Sequence, residues 1–308
     1  MRPSIDVALD TRGHAIGFGV ADGGRSPDAF IVDLDPNAVV VRSFLSGRPF
    51  VDEMVAGAVD GSDNVYAIFP ECNAHFYLRK FDATGALIEQ IDLGSYPGGF
   101  QGYNLAVAPN GALVITSFED GIISRRGPDL AVVWEMSSDL SVHAVNNSGA
   151  AIATRWPDGL VMLDANGSIV WDIEWSLFDL PQVDINEAGQ VVVGGRGNDQ
   201  QLSVARFDSD GILVWDTHFN VHDKFDSIYD VEINATGTIA IAGTIQPSNL
   251  LGFAVKLDAN GDLLAQHVCA PETESRGHAI ALDETGGIRL AGTVYLDNDY
   301  KSFVAAFE

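Results

Sequence analysis

Tyr229–Thr244 reads YDVEINATGTIAIAGT and His278–Thr293 reads HAIALDETGGIRLAGT, so the same module returns after 49 positions. Each copy has alternating apolar residues, a four-residue turn and an Ala-Gly-Thr ending. Alternation with a period of two predicts strands. A turn that opens with Asp or Asn and closes with Gly predicts a tight hairpin, because Gly accepts the positive φ that the turn requires. Similar turns occur at DTRG (10–13), APNG (108–111), NNSG (146–149) and NEAG (186–189).

A second hairpin module alternates with the first. It reads FIVDLDPNAVVV at 30–41, YLRKFDATGALI at 77–88, GLVMLDANGSIV at 159–170, SVARFDSDGILV at 203–214 and FAVKLDANGDLL at 253–264. Each module has one deviating copy: in the first module the turn DGSDN (60–64) lacks the closing Gly and is expected to be about a residue longer, and in the second module GPDLAVVW (127–134) is a degraded match. Two hairpins per repeat give four short strands, and a repeat of roughly 40–50 residues with four strands is typical of a β-propeller.

The repeats predict an all-β, seven-bladed β-propeller of four-stranded antiparallel blades that forms a single domain. The approximate blades are 1–50, 51–100, 101–140, 141–180, 181–225, 226–275 and 276–308. Phe307–Glu308 aligns with Leu257–Asp258, so the last blade is expected to lack its outer strand. An open sheet edge favours pairing with another chain, so a dimer or a contact with a longer parent protein is expected there.

Composition excludes several functions. The formal charge of −26 repels phosphate backbones and anionic lipid surfaces, so nucleic acid is not an expected partner. No apolar run approaches the ~18 residues of a spanning helix, and the opening MRPSIDVALD lacks the apolar core of a signal peptide. Cys72 and Cys269 fall in distant repeats, which disfavours a disulfide and favours two buried thiols.

The pattern V-x-[LF]-D-x-x-G followed by an apolar strand resembles the repeats of bacterial β-propeller proteins found in extracellular and surface proteins, and more distantly WD-repeat blades. Residues 253–308 carry this resemblance best, in FAVKLDANGDLL, GHAIALDETGGIRLAGT and FVAAFE. The resemblance implies a seven-bladed ring with a binding or scaffolding role, and it favours an extracytoplasmic location. Such motifs describe blade geometry rather than an activity.

The expected binding site lies on the face opposite the repeated turns. Antiparallel strands alternate in direction, so both turns of every blade emerge on one face and the variable connections emerge on the other, where binding residues usually lie. The chain enters or leaves the inner strands on that second face at the predicted ligand-binding residues: Tyr103, Phe118, Arg155, Trp156, Arg196, Tyr229, Arg276 and His278.

Two interpretations of these residues remain open. The arginines would suit an acidic or carboxylated ligand, and the aromatic rings would stack on a sugar or a peptide. Alternatively, the aromatic side chains fill the channel and each arginine pairs with a nearby carboxylate such as Glu119, Asp179 or Asp226. His143 stands where other blades have Val, Leu or Ile, which favours a core histidine.

Other motifs have structural explanations. Trp134, Trp171 and Trp215 occupy one position on three outer strands, a little like the docking tryptophans of quinoprotein propellers, but packing between neighbouring blades is the better explanation. Asp-rich turns such as 208–211 and 258–261 lack the glutamate of a Ca²⁺ loop. His218 and His222 have a spacing that would converge on a metal in a helix, but they are expected in a loop after a strand. No metal or cofactor is therefore expected.

The sequence contains no nucleophile elbow, phosphate-binding loop or zinc signature. The favoured function is a non-enzymatic binding or scaffold module that binds a small molecule, glycan or peptide. The alternative is a hydrolase or lyase, for instance one that acts on carbohydrate, with catalytic residues contributed by several blades at the channel mouth.

Overall fold

The computed structural model describes residues 6–22, 27–37, 39–45, 56–71, 75–95, 103–117, 120–155, 159–175, 179–197, 201–221, 226–246, 250–269, 274–296 and 299–307. Every regular element in these residues is a strand. Among them, no helix has the length and apolarity needed to cross a membrane. The fold is an all-β, seven-bladed propeller, as the repeats predict. Its blades are four-stranded and antiparallel, except for the last, which has three strands.

The backbone forms two compact units, residues 1–149 and 150–308, which are described separately. The single-domain assignment stays a prediction. The strands of the first unit are β1 (Asp6–Leu9), β2 (Ala15–Asp22), β3 (Pro27–Leu34), β4 (Val40–Leu45), β5 (Ala56–Val59), β6 (Val65–Glu71), β7 (His75–Phe81), β8 (Leu87–Ser95), β9 (Tyr103–Val107), β10 (Leu113–Ser117), β11 (Ile122–Arg126), β12 (Val132–Ser137) and β13 (Leu140–Val145).

The strands of the second unit are β14 (Ala151–Arg155), β15 (Gly159–Leu163), β16 (Ile169–Glu174), β17 (Asp179–Ile185), β18 (Val191–Arg196), β19 (Leu202–Phe207), β20 (Leu213–Phe219), β21 (Ser227–Ile233), β22 (Ile239–Ile245), β23 (Leu251–Leu257), β24 (Leu263–Val268), β25 (Ser275–Leu282), β26 (Ile288–Leu296) and β27 (Asp299–Phe307). The complete sheets of this unit are β17-β18-β19-β20, β21-β22-β23-β24 and the three-stranded β25-β26-β27.

The hairpin turns confirm the local chemistry read from the sequence. The Asp258 carboxylate accepts hydrogen bonds from the amides of Asn260 and Asp262, at 2.8 and 2.9 Å, while Gly261 closes the turn with a φ of +85°. These bonds lower the pKa of the Asp258 carboxyl. Asp208 and Asp258, which open two of the turns that suggested Ca²⁺ loops, therefore already have backbone partners inside their own hairpins.

The expectation of a longer turn at DGSDN is wrong. The Asp63 amide donates to the Asp60 carbonyl at 3.0 Å, which is the bond that Gly13 makes to Asp10 in the first hairpin. Asp63 takes a φ of +62° and so fills the position of the missing glycine. Leu130, with a φ of +57°, does the same in the degraded turn of the third repeat. Both turns keep the usual length at the cost of local backbone strain.

The core of the second unit lies between neighbouring sheets. Phe253, Ile241, Val231 and Val204 are buried together in one cluster that spans the sheets of β17–β20 and β21–β24. Leu290, Ile280 and the alanines of β22 and β23 form the next cluster. In the first unit, Tyr66, Phe76 and Leu113 belong to a comparable cluster. Within each unit, apolar residues on the faces of the sheets are thus buried against neighbouring sheets.

Carboxylates on the inner strands join neighbouring sheets of the second unit. Glu232 on β21 accepts a hydrogen bond from the amide of Leu282 on β25, at 2.6 Å. Asp230 accepts one from Ile280 in the same way, at 2.8 Å. Inner strands are sheet edges, so their free amides need partners, and the side chains of the preceding sheet supply them.

Tryptophans on the outer strands join the same sheets at the rim. The Trp171 indole donates to the Ser209 carbonyl at 3.1 Å, and the Trp215 indole donates to the Ala259 carbonyl at 2.9 Å. Each acceptor is the second residue of a turn in the next sheet. These tryptophans therefore pack between sheets, as the structural interpretation of the sequence proposed.

Candidate ligand-binding site

Two of the predicted site residues are the extra residues of β-bulges. The pairing of β21 with β22 skips from Ile228 to Asp230, which leaves Tyr229 without a partner in the ladder. The pairing of β25 with β26 skips from Gly277 to Ala279, which leaves His278 in the same position. A bulge re-aims its side chain and is often found beside functional sites. Adjacent sheets thus present an aromatic residue at equivalent places.

The two bulged side chains lie next to each other. The rings of Tyr229 and His278 have centroids 6.0 Å apart and planes inclined by 40°. His278 Nε2 is 3.1 Å from the hydroxyl oxygen of Thr293, a buried residue at the end of the repeated Ala-Gly-Thr motif. Tyr229 remains 39% exposed. The pair offers an aromatic surface to solvent, with one histidine edge fixed by a hydroxyl group.

An arginine stands two residues before the histidine. Arg276 is partly buried, and its Nη2 lies 3.3 Å from Oε1 of Glu274. Both residues precede the bulge on β25, at the end of the strand away from the Asp283–Gly286 turn. A guanidinium group held by one carboxylate still has further N–H donors for a planar anion. We call Tyr229, Arg276, His278 and Thr293 the bulge site.

Glycines make the bulges possible. Gly243 of β22 faces the β21 bulge, and a Cβ atom there would overlap the Ser227 carbonyl oxygen. Gly292 of β26 faces the β25 bulge, and a Cβ atom there would overlap the Arg276 carbonyl oxygen. The Ala-Gly-Thr ending of each module therefore has a role beyond closing the repeat. Its Gly admits the bulge, and in the last sheet its Thr binds the bulged histidine.

The remaining predicted residues have other surroundings. Tyr103 in the first unit is buried against Phe76, with ring centroids 5.0 Å apart, and its hydroxyl donates to the Leu93 carbonyl at 2.9 Å. Burial raises the pKa of its phenol. Tyr103 is thus packed as a core residue. Phe118 and Trp156 lie outside the described residues.

Two arginines predicted for the site stand on strands next to inner strands. Arg155 binds Oδ2 of Asp172 at 2.5 Å, so its side chain reaches across the sheet toward the outer strand β16. This agrees with the alternative in which each arginine pairs with a nearby carboxylate, although Asp172 was not among the candidates. Arg196 ends β18, where it pairs in register with Asp179 and Leu202.

The two carboxyl groups with the most strongly raised pKa values accept hydrogen bonds from the backbone. Burial raises the pKa of Asp184 on β17 to about 6, against the opposing effect of a hydrogen bond that it accepts from the Ile233 amide at 2.9 Å. Burial likewise raises the pKa of Asp6 to about 6, and its carboxylate accepts bonds from the amides of Val7 and Gly57. Perturbed carboxylates often indicate catalysis. Here the same oxygens complete inner-strand edges.

One cluster in the first unit has the composition of a metal site. Asp10, His14 and Asp33 place their ligand atoms within 4.8 Å of one another. However, Asp33 Oδ2 accepts from Arg42 Nε at 2.7 Å, and Asp10 Oδ2 accepts from Arg12 Nε at 2.9 Å. His14 Nδ1 lies 2.7 Å from Asp33 Oδ1. With guanidinium groups already balancing the carboxylates, this cluster is better described as an ion-pair network than as a cation site.

Two further motifs have ordinary surroundings. His218 on β20 lies with its Nδ1 3.0 Å from the Ser203 hydroxyl, whereas His222 is outside the described residues. Cys269 is a free, partly buried thiol whose pKa burial raises to about 11. Cys72 also lies outside the described residues. A raised pKa keeps the Cys269 thiol protonated at neutral pH, which argues against a nucleophilic role.

Comparisons with known proteins identify the fold. No protein-family model and no curated protein sequence matches the chain. Among solved structures, the WD40 domain of Toxoplasma gondii coronin has 11% identity and a TM-score of 0.64, covering 98% of this chain and 80% of that chain. A streptogramin B lyase has 12% identity and a TM-score of 0.65, covering 99% of this chain and 93% of the other. BamB from Moraxella catarrhalis has 14% identity and a TM-score of 0.51, covering 99% and 85%.

These similarities establish the β-propeller fold and nothing finer. They include both a WD40 domain and a lyase, so the shared architecture is compatible with binding and with catalysis. The choice between these functions must rest on the residues of this chain.

Proposed function

We propose that this protein is a non-enzymatic binding module and that the bulge site binds a carboxylated small molecule, glycan or peptide. The observation that carries the proposal is the contact between Tyr229 and His278, two bulged residues on adjacent inner strands with ring centroids 6.0 Å apart. The backbone departs from regular pairing twice to bring these rings together. Packing alone does not require this departure at an exposed strand end.

Arg276 supports a carboxylated ligand. The chain has only 17 basic residues against 43 acidic ones, so its overall field disfavours anions. A ligand with a single carboxylate would meet the least repulsion while still using the guanidinium donors. The aromatic faces of Tyr229 and His278 suit the flat apolar side of a sugar ring or a peptide side chain.

The test is a ligand screen by thermal shift, followed by calorimetry, with uronic acids, small organic acids and short peptides with free carboxyl termini. A ligand that binds only the native state raises the melting temperature. Arg276→Ala should reduce affinity for the bound acid at least tenfold, and Tyr229→Ala should reduce it for ligands with a stacking surface. Arg155→Ala is the matched control, because its guanidinium is directed at Asp172.

The proposal fails if an acid binds and Arg155→Ala weakens it as much as Arg276→Ala does. It also fails if no member of the three ligand classes raises the melting temperature at millimolar concentration. Uncharged analogues of each hit, such as the amide of the acid, test the carboxylate directly: they should bind much more weakly to the wild type and equally weakly to Arg276→Ala.

A hydrolase or lyase is the second candidate. One solved structure with this fold is a streptogramin B lyase, and in the present chain His278 is held by the Thr293 hydroxyl beside a tyrosine. A histidine with a tyrosine next to it could serve as a base and an acid. The discriminating variant is His278→Gln. If the protein is a binding module, neither wild type nor the variant forms product from any bound ligand. If it is an enzyme, wild type converts the ligand, whereas the variant binds the ligand without converting it.

A further inference from the structure

The outer strands share an exposed aliphatic residue that their backbone pairing does not require. In the ladder of β19 with β20, the pairing skips from Leu213 to Trp215, so Val214 is the extra residue of a bulge. The ladders of five other sheets skip one residue at the equivalent place. The six skipped residues are all aliphatic and 51–58% exposed: Val41, Ile88, Val133, Val170, Val214 and Leu264.

Other aliphatic side chains beside these bulges are exposed as well. In the described part of the chain, fourteen of the eighteen exposed large apolar residues lie within the first few residues after the second turn of a sheet. Exposed apolar clusters of this kind mark interaction sites more often than isolated exposed residues do. Those of the second unit, which we call the aliphatic rim, are Ile169, Val170, Ile212, Leu213, Val214, Leu263 and Leu264.

The members of the aliphatic rim follow one another along the outer strands of the second unit. Trp171, which directly follows Val170, binds the turn that leads into Ile212. Trp215 makes the same contact with the turn before β24. Each group of the rim is therefore joined to the next by one indole–turn contact. Because the rim lies beside the turns, it is at the opposite end of the strands from the bulge site.

Edge protection explains the bulges but not their side chains. A bulge twists an edge strand so that another strand pairs with it poorly, and a charged side chain there adds to this protection. Strand propensity is satisfied by Thr as well as by Val or Ile. Neither reason accounts for an aliphatic residue at all six of these bulges. Contact with an apolar surface of a partner does account for it.

Carboxylates surround the aliphatic rim. Eight Asp or Glu residues and no Lys or Arg occur in the three segments that carry it, 164–174, 208–219 and 258–268. Asp210, Asp216 and Asp262 are exposed beside its apolar side chains. The cations of β19 and β23 are partly buried, and Arg206 donates to the Ala259 carbonyl at 2.6 Å. The rim is thus an apolar surface in a negative field, which favours a partner with positive charge.

The bulges also favour a helix over a strand as the form of the partner. An added strand needs a continuous row of N–H and C=O groups along the edge that it joins, and a bulge interrupts this row. A helix satisfies its own backbone groups and presents only side chains. A helix with an aliphatic stripe flanked by Lys and Arg would contact both the apolar residues and the carboxylates of the rim.

We propose that the aliphatic rim binds a basic amphipathic helix of another protein. The sequence of this chain offers no such helix, because no window of ten residues holds more than two Lys or Arg. A second copy would bring a further charge of −26 to an acidic surface, which disfavours self-association. The rim belongs to complete four-stranded sheets, whose outer strands β16, β20 and β24 are all present. Its test does not depend on the acid proposed for the bulge site.

Three labelled peptides test the chemistry of the partner by fluorescence anisotropy. LKKLLKLLKKLLKL places leucine on one face of a basic helix, LKLKLKLKLKLKL has the same number of lysines at strand spacing, and LEELLELLEELLEL is an acidic helix. We expect saturable micromolar binding of the first peptide, at least tenfold weaker binding of the second and no binding of the third. Raising the salt concentration from about 0.05 to about 0.5 M should weaken the first at least fivefold.

Four results with these peptides contradict the proposal. They are no saturable binding of the basic helix, equal affinity for the basic helix and the strand-spaced peptide, equal affinity for the basic and acidic helices, and binding of the basic helix that does not change with salt.

Serine variants test the location of the contact. Val214→Ser combined with Leu264→Ser removes two exposed side chains that have no partner in their ladders. This rim variant should bind the basic helix at least fivefold more weakly than wild type and keep a similar melting temperature. The matched control combines Val268→Ser with Leu296→Ser, two exposed apolar residues of the same unit outside the rim. An equal loss of affinity in the two variants, or no loss in the rim variant, overturns the proposal.

Cross-linking to wild type makes the test independent of how the variants fold. The basic helix, with benzoylphenylalanine in place of one central leucine, is irradiated with the protein, and the attached residues are identified by mass spectrometry. We expect attachment within 169–174, 212–216 and 263–266. Attachment at the bulge site, or attachment spread over the whole surface, shows that the rim is not the binding surface.

Sedimentation of the protein without peptide tests whether a second copy occupies the rim. We expect a monomer for both wild type and the rim variant. A wild-type dimer that the rim variant abolishes would mean that the rim binds this chain itself, against the proposal.

Discussion

The carboxylate of Asp184 accepts a hydrogen bond from the backbone amide of Ile233 at 2.9 Å, across the space between two neighbouring inner strands. Glu232 repeats the arrangement one sheet further on, with Leu282 as donor. Exposed strand edges are usually satisfied by water or by another strand. In the second unit they are satisfied by acids placed 49 or 50 residues earlier in the chain, which explains part of its high acidic content.

Asp184→Asn should stabilise the protein at pH 8 by about 1–2 kcal/mol. Burial raises the pKa of this carboxyl from 3.8 to about 6, so the native state favours the protonated form. Its contribution to stability is present below pH 4 and is lost as the pH rises through 6. The full shift corresponds to roughly 3 kcal/mol, which partial exposure reduces. The asparagine removes the charge and keeps an oxygen for the Ile233 amide.

Urea unfolding of wild type and variant at pH 4 and pH 8 measures this effect, and the difference between them should vanish near pH 4. Asp216→Asn is the control, because it removes one exposed carboxylate of the same unit. A gain that is the same at both pH values, or that the control reproduces, would contradict the argument.

Wild type should lose unfolding free energy in acid because of His143, and His143→Leu should remove that loss. Burial lowers the pKa of this ring from 6.5 to about 4, so the native state holds it neutral. The neutral ring contributes up to about 3 kcal/mol to the unfolding free energy above pH 6.5. This contribution is lost as the pH falls toward 4. Leucine occupies the equivalent position in the third repeat, at Leu105. The difference in unfolding free energy between variant and wild type should therefore grow in favour of the variant from pH 7.5 to pH 4.5.

The hairpins could be predicted from the sequence because their chemistry is local. Asp258 binds amides two and four residues ahead, so the turn is encoded within five residues. The turn at Asp63 escaped prediction for the converse reason: a non-glycine residue takes a positive φ because the surrounding hairpin holds it there. Propensity rules favour Gly in that conformation and admit Asp less often, so the sequence alone did not single out Asp63.

The site could be predicted only in part. Tyr229 and His278 follow from their place near the start of an inner strand, but their bulges are hidden in the sequence, where Tyr229, Val231 and Ile233 alternate regularly. The signal was the Gly of Ala-Gly-Thr, since a strand glycine often marks a bulge. The ion pair of Arg155 with Asp172 joins residues 17 positions apart across an intervening strand, and no local pattern encodes that contact.

Gly211→Ala should destabilise the second unit through a contact with Trp171. Gly211 has a φ of +78°, and an added Cβ would lie 2.8 Å from the Trp171 ring. The backbone term alone costs about 1–2 kcal/mol, and displacement of the indole adds to it. In a Trp171→Ala background the contact is gone, so the same substitution should cost only the backbone term. A double-mutant cycle by urea unfolding measures the difference, and additivity of the two substitutions would show that the ring does not contact this turn.

Gly292→Ala should displace the bulge that presents His278. The added methyl group would overlap the Arg276 carbonyl oxygen, so β25 can stay paired only by shifting its backbone near Gly277. We expect a loss of about 3 kcal/mol or more in unfolding free energy and at least a tenfold loss of affinity for any acid that the bulge site binds. Ala291→Gly, at the neighbouring buried position on the same strand, is the control: it should cost about 1 kcal/mol while leaving affinity unchanged, because Ala291 faces Ala279 beyond the bulge. Equal losses of affinity in the two variants would mean that binding follows global stability rather than the geometry of the bulge.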